Sequence, residues 1–420
     1  MSGLYGAAVG GGDTTKNTDI MGRSSMEQIN VLQQMSELKK ILSYSKNIGF
    51  FFGAGTSCAF GLPNIISLTT EVETNLDDDK KSEFNKAKQC LIDTLGKTTI
   101  SVEEILNYVR QIRDLTKGKA NKEFEGISGE MAEKLDVAIC RNIYEIIKTR
   151  EECADITVLQ KFFAWYDTSN RNYVKEIFTT NYDMLLEKAM EANYIPYFDG
   201  FAGSYEPFFW PESIERFISV SELTGKWIRL WKMHGSLNWE QKPASMSGEA
   251  RIIRRGKIDN PENELLIYPS KEKYDLSRKQ PFIAYFDRLK NYLLNGELLF
   301  VSSGYSFYDQ HINDIIFNCL RQNARLYMVV LCFSDDQVEY MKDYGKAYLN
   351  LCVLGPKMAI TNGKLYEWKY DDSEEDSEKS EFYWNASENK FILGDFKKLV
   401  EFLIESSGKR SIIEEAIRGK

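Results

Sequence analysis

Short apolar runs punctuate the chain: Ile48 to Phe52, Val174 to Phe178, Trp227 to Met233, Leu265 to Tyr268, Leu298 to Ser303, Leu326 to Phe333 and Leu349 to Leu354. Runs of this length, rich in aromatic and β-branched residues, predict buried strands. Around them the period changes. Ile29, Leu32, Met35, Leu38, Ile41 and Leu42 recur at three- and four-residue steps, which predicts an amphipathic helix from Met26 that packs onto the sheet before the first strand. The segment Gly61 to Asp167 is helical in pattern almost throughout. Val102, Ile105, Leu106, Val109 and Ile112 mark one stripe; Met131, Leu135, Ile139, Ile143 and Ile147 mark another. A helical pattern from Phe396 to Ile417 closes the chain.

Strands alternating with helices predict an α/β fold, a doubly wound Rossmann-like parallel sheet with right-handed crossovers and an inserted helical layer. The expected organisation is a flexible leader over 1–25, a nucleotide-binding domain over 26–330 with its helical insertion at about 64–170, and an α/β completion of the same domain over 331–420. The insertion is longer than one crossover helix needs, so it is expected to cover the ligand cleft or make a subunit contact. Asp371 to Glu381 is a charge run between Trp368 and Tyr383-Trp384 and reads as a solvated loop, with docking of another chain as the alternative.

Polar clusters follow four of the strands. Gly53-Ala54-Gly55-Thr56-Ser57 follows the first and leads to Gly61-Leu62-Pro63; Thr179-Thr180-Asn181-Tyr182-Asp183, His234-Gly235-Ser236 and Gly304-Tyr305-Ser306-Phe307 follow three others. In an open parallel sheet those ends converge on one edge, so the clusters are expected to meet. The first glycine turn suits a phosphate-binding loop, with backbone N–H groups at a helix start and the Ser57 hydroxyl as donors. A tight connection between strand and helix is the alternative.

Composition narrows the class. The chain has 420 residues, 43% hydrophobic and 27% charged, enough for a sizeable core, and its net charge of −9 argues against nucleic-acid binding by a general positive field. Seven cysteines without a C-x-x-C suggest neither a disulfide framework nor a zinc site. No run is long enough to span a membrane and no secretory signal is evident, so a cytoplasmic protein is expected.

Two histidines occur, His234 and His311. His234, directly before Gly-Ser at a strand end, is placed to act as a base; a hydrogen-bonded turn histidine is the alternative. His311 reads as an early helix residue without chemistry. Asn181 can hold a water or a ribose hydroxyl through its amide without adding charge. Asp183 reads first as a cap for the helix that follows.

With GAGTS and the following GLP, TTNYD, HG and GYS in that order, the chain resembles the sirtuins over roughly Ile48 to Ile312, and within them the sirtuin-like NADases of bacterial antiphage defence, in which the Tyr268–Lys271 and Phe198–Phe201 motifs also recur. The resemblance implies that Gly53, Ala54, Gly55 and Ser57 contact the dinucleotide phosphates, Asn181 and Asp183 serve the nicotinamide-ribose pocket, His234 is the catalytic base, and Gly304 and Ser306 line the adenosine side. It implies NAD as substrate without zinc: deacylating members carry a four-cysteine zinc module and a Phe-Arg pair after G-I-P, where this chain reads Asn64-Ile65-Ile66. The expected reaction is hydrolysis of NAD to nicotinamide and ADP-ribose, controlled by homo-oligomerisation or by a HerA-like hexameric ATPase partner. Protein deacylation, ADP-ribosyl transfer and a non-catalytic nucleotide sensor are the alternatives.

Overall fold

A computed structural model describes residues 26–45, 47–116, 119, 121–168, 173–214, 227–242, 251–256, 265–267, 280–371 and 380–418. The expected leader, the Tyr268–Lys271 motif and most of the acidic run lie outside the described residues.

Ten strands form the principal sheet among these residues. In chain order they are β1 (Gln28–Asn30), β2 (Ile48–Phe52), β3 (Glu176–Thr179), β4 (Tyr197–Phe198), β5 (Ile228–Lys232), β6 (Leu298–Ser303), β7 (Leu326–Leu331), β8 (Leu351–Leu354), β9 (Met358–Thr361) and β10 (Lys364–Lys369). Their spatial order is β1-β10-β9-β8-β7-β6-β2-β3-β5-β4. The stretch β5-β3-β2-β6-β7-β8 is parallel throughout and has the doubly wound 3-2-1-4-5-6 order, stepping outward from β2 on one side and then on the other. The winding reverses between β2 and β6. A ligand crevice is therefore expected above their carboxyl ends.

Burial on both faces explains why these segments are strands. Every residue of β2 is buried. Phe50 and Phe52 project to the face holding Phe162 and Phe396, with Phe50 to Phe162 at 5.1 Å between ring centroids, whereas Phe51 projects to the other face against Phe300 and Tyr305. Each fully buried phenylalanine contributes roughly 1.5–3 kcal/mol. Tyr166, on the helix Thr157–Thr168, donates its hydroxyl to the Ile48 carbonyl at 2.8 Å and fixes that helix to the start of β2.

The structure departs from the expected pattern at several places. The first helix begins at Val31, capped by the Asn30 side chain on Leu32 N at 2.9 Å, and the residues before it pair as β1 with β10 instead. Leu265–Ile267 is not in the parallel sheet; it belongs to a five-stranded antiparallel sheet with Gly235–Lys242, Arg251–Arg254, Phe208–Phe209 and Phe201–Ala202. Beyond β8, which is parallel as expected, β9 and β10 add as an antiparallel hairpin instead of by further crossovers, and β1 closes this edge parallel to β10. Asn362 and Gly363 join β9 and β10 with positive φ at both, the geometry of a type I′ hairpin. The closing helical pattern is two helices, Phe396–Ser407 and Arg410–Arg418, separated by left-handed Gly408. Between β2 and β3 stand the helices Ala54–Cys58, Ile65–Asn75, Asp78–Leu95, Val102–Thr116 and Gly129–Cys153, followed by Thr157–Thr168.

Candidate functional site

Where that crevice is expected, the loops after two neighbouring strands cross. Gly53 N donates to Ser303 O at 3.0 Å and Gly55 N donates to Gly304 O at 2.9 Å, so the loop after β2 lies against the loop after β6 backbone to backbone. Glycine is required there by space: a Cβ on Gly53 would stand 2.5 Å from Gly304 O, one on Gly55 would stand 2.7 Å from Gly304 Cα, and one on Gly304, itself at φ 68°, would overlap Thr56 N. The N–H groups of Gly53 and Gly55 thus already have protein acceptors. Ala54 and Ser306, on the solvent side of the crossing, are exposed.

The Thr179–Asp183 turn meets this loop. Thr56 Oγ1 donates to Gly53 O at 2.8 Å, and Ser57 Oγ donates to Asp183 Oδ2 at 2.6 Å. Each hydroxyl has one proton, so both oxygens receive the Asn181 amide as acceptors, Nδ2 donating at 3.0 Å to Thr56 and 2.8 Å to Ser57. This fixes the amide orientation. Among the described residues nothing donates to the buried Asn181 Oδ1 atom, an acceptor that costs about 1–3 kcal/mol if left unmet. Asn181 is 6% exposed.

Asp183 has two duties. Its Oδ1 accepts Leu185 N at 3.1 Å, in the manner of a cap for the helix Leu185–Ala192, while Oδ2 holds Ser57. Beneath the turn, Lys232 at the end of β5 is 2% exposed; its Nζ donates to Asp183 O at 2.5 Å and to Glu187 at 2.9 Å. Glu151, from the helical layer, accepts Met184 N at 2.6 Å. Burial, and secondarily the Asp183 carboxylate, raises the Glu151 pKa; burial raises that of Glu187 against the opposing pull of Lys232. Burial and Asp183 also push the neighbouring Cys58 thiol up, away from a reactive thiolate.

His234 lies in the turn between β5 and Gly235–Lys242, so its cluster leads into an antiparallel strand and not into a helix. Ser236 Oγ meets Met184 Sδ at 3.3 Å and Leu237 N donates to Tyr182 O at 2.9 Å, which ties the His234 turn to the Asn181 turn. The ring is held by Asp309, whose Oδ2 lies 2.7 Å from Nε2. His311 occupies the first turn of the helix Gln310–Gln322.

Residues 175–349 match a SIR2-like domain. The matched segment holds the turns of Asn181, His234 and Gly304 together with Asp309; the loop 53–57 precedes it in the chain and joins it through the crossing and the Ser57 bond. A search of curated proteins finds no match. Among solved structures similar to the chain are a Sir2 homologue in complex with NAD (11% identity, covering 88% of this chain and 94% of that one, TM-score 0.35), a Sir2 homologue mutant with ADP-ribose (10%, covering 89% and 97%, TM-score 0.36), and a Sir2 homologue mutant with 2′-O-acetyl-ADP-ribose (11%, covering 70% and 83%, TM-score 0.33).

Thr56, Glu151, Lys232 and Asp309 were not singled out by the sequence. Thr56 sits inside the quoted loop, and Asp309 precedes a helical pattern in the way an N-cap does. Glu151 and Lys232 have no local signal, since each serves a turn more than thirty residues away in the chain.

Proposed function

We propose that the chain is an NAD hydrolase that cleaves the nicotinamide glycosidic bond. The observation that carries this reading is the unmet Asn181 Oδ1, buried at the carboxyl-end crevice in a SIR2-like segment that also supplies His234. An acceptor fixed in that orientation suits a ribose hydroxyl or the attacking water, each of which brings an O–H donor. The C1′–N bond breaks with its electron pair passing to the pyridinium ring, so nicotinamide leaves neutral and needs no acid. Water adds to C1′, and its proton passes to His234. Nicotinamide, ADP-ribose and one proton result, with no change in oxidation state.

In this reading Ala54, Gly55 and Ser306 are exposed positions of the floor beside the phosphates and the adenosine, and Gly53, Gly55 and Gly304 shape the floor itself. Asp183 and Ser57 hold the Asn181 turn. Uncontrolled hydrolysis would exhaust a cell's cofactor, so control by assembly, with further copies of the chain or with a HerA-like ATPase, belongs to the same proposal, as does a role in defence against phage by depleting NAD.

The test is to incubate the purified chain, alone and with a co-expressed ATPase, with NAD and to quantify nicotinamide and ADP-ribose. Release is expected, and His234→Ala or Asn181→Ala is expected to lower it by roughly 10²-fold or more. Binding of NAD without release in every assembly state would overturn the hydrolase and favour a sensor.

A further inference from the structure

We infer that Asp309 is the positioning residue of His234: it holds the imidazole with a proton on Nε2, which makes Nδ1 the nitrogen that gains and loses a proton. The inference deepens the hydrolase reading, and only its kinetic consequence rests on that reading.

The two side chains are largely out of solvent, 11% exposed for His234 and 6% for Asp309, with Nε2 and Oδ2 2.7 Å apart. A carboxylate oxygen only accepts, so the nitrogen facing it bears a hydrogen in the neutral ring and in the charged ring alike. Proton exchange is left to Nδ1.

Asp309 is itself held from three directions. Its Oδ1 accepts His311 N at 3.1 Å and Ile312 N at 3.4 Å as the N-cap of Gln310–Gln322, so the carboxylate cannot turn away from His234 without uncapping that helix. The chain before it passes through Phe307 at φ 59°, a conformation that bulky residues avoid. That kink is secured by Asn313 Nδ2 at 2.5 Å and the Tyr340 hydroxyl at 3.0 Å, both donating to Phe307 O. The buried Tyr305 hydroxyl lies 3.1 Å from Asn313 Oδ1 and 3.4 Å from Asp309 O. The loop after β6 therefore carries a carboxylate across to the loop after β5 and fixes it there. A cap alone needs one oxygen; the second oxygen is the one on the histidine.

Asp309→Asn separates the two roles. Asparagine caps as well as aspartate, through the same Oδ1, but turns an NH₂ toward Nε2. The ring must then present its lone pair at Nε2 and carry its hydrogen on Nδ1. The chain's two histidines make the state readable by ¹⁵N-histidine NMR of the full-length protein, with His311→Gln assigning the His234 signals. We expect the Nε2–H tautomer in the wild type and the Nδ1–H tautomer in Asp309→Asn, with an unchanged Tm. In turnover, kcat for NAD is expected to fall roughly 10²-fold at an unchanged KM, within the range a general base contributes. Asp309→Ala, which loses cap and carboxylate together, is expected to lower Tm as well. A wild-type His234 in the Nδ1–H form, or Asp309→Asn with the wild-type tautomer and kcat, would overturn the inference. A wild-type Nε2–H tautomer in a protein that never cleaves NAD would support the pairing while removing the hydrolase.

Discussion

Ser57 and Asp183 lie 126 residues apart in the chain and 2.6 Å apart in the fold, Oγ to Oδ2. The bond closes the site, because the same Ser57 oxygen accepts the Asn181 amide. Ser57→Ala would leave a buried carboxylate oxygen without its donor and the Asn181 amide with one acceptor instead of two. We expect a loss of about 1–3 kcal/mol in stability by denaturant unfolding, with a larger proportional loss of NAD turnover. An unchanged unfolding midpoint would show that the bond adds nothing to folding.

Gly304→Ala is expected to be severe. The residue adopts a left-handed conformation and has no room for a Cβ against Thr56 N. Backbone strain and overpacking each cost roughly 1–3 kcal/mol, so a loss of at least that size should appear as a lowered Tm. Gly408→Ala, also at positive φ but with open space around it, is the control that isolates strain from crowding.

Lys232→Met keeps the aliphatic stem and removes the ammonium that links Asp183 O to Glu187. It leaves a buried carboxyl without its partner, a situation that costs about 3–5 kcal/mol when the group stays charged. Double substitution with Glu187→Gln should recover part of that loss. The Asn181 turn remains without its support, so stability should return further than turnover does. Equal recovery of both would mean that Lys232 supports folding alone.

Glu151→Gln should stabilise the protein in a pH-dependent way. The folded-state pKa of Glu151 lies above the ordinary glutamate range of roughly 4.3, mainly through burial. The folded state thus binds this proton more readily than the unfolded chain does. The resulting stability is fully present below the unfolded pKa and is lost as pH rises through the folded value. Glutamine keeps the acceptor for Met184 N and never ionises. The Tm of the variant minus that of the wild type should therefore increase as pH is raised from about 4 and then level off; a difference that shrinks over this interval would contradict the assigned direction.

The clustering of the site was legible because strand ends are punctuated in sequence by the very residues that turn the chain. Four such ends in a parallel sheet must share an edge. What could not be read was the division of labour among them. Gly53 and Gly55 look like phosphate-binding positions by spacing, yet their N–H groups face Ser303 and Gly304, a relation that exists only once β2 and β6 pair. The antiparallel course after His234 was hidden for a similar reason: an apolar run such as Leu265–Ile267 does not state which sheet it joins. The Asn362-Gly363 hairpin did carry a local signal, since that dipeptide favours the left-handed pair of a type I′ turn.

The glycine crossing sits on the boundary where the sheet's winding reverses, so it is also the seam between the two halves of the sheet. Backbone pressed against backbone at van der Waals limits leaves no slack for one half to slide on the other. A side chain at any of these glycines would therefore act as a wedge between the two halves of the sheet and not as a local bump on one loop.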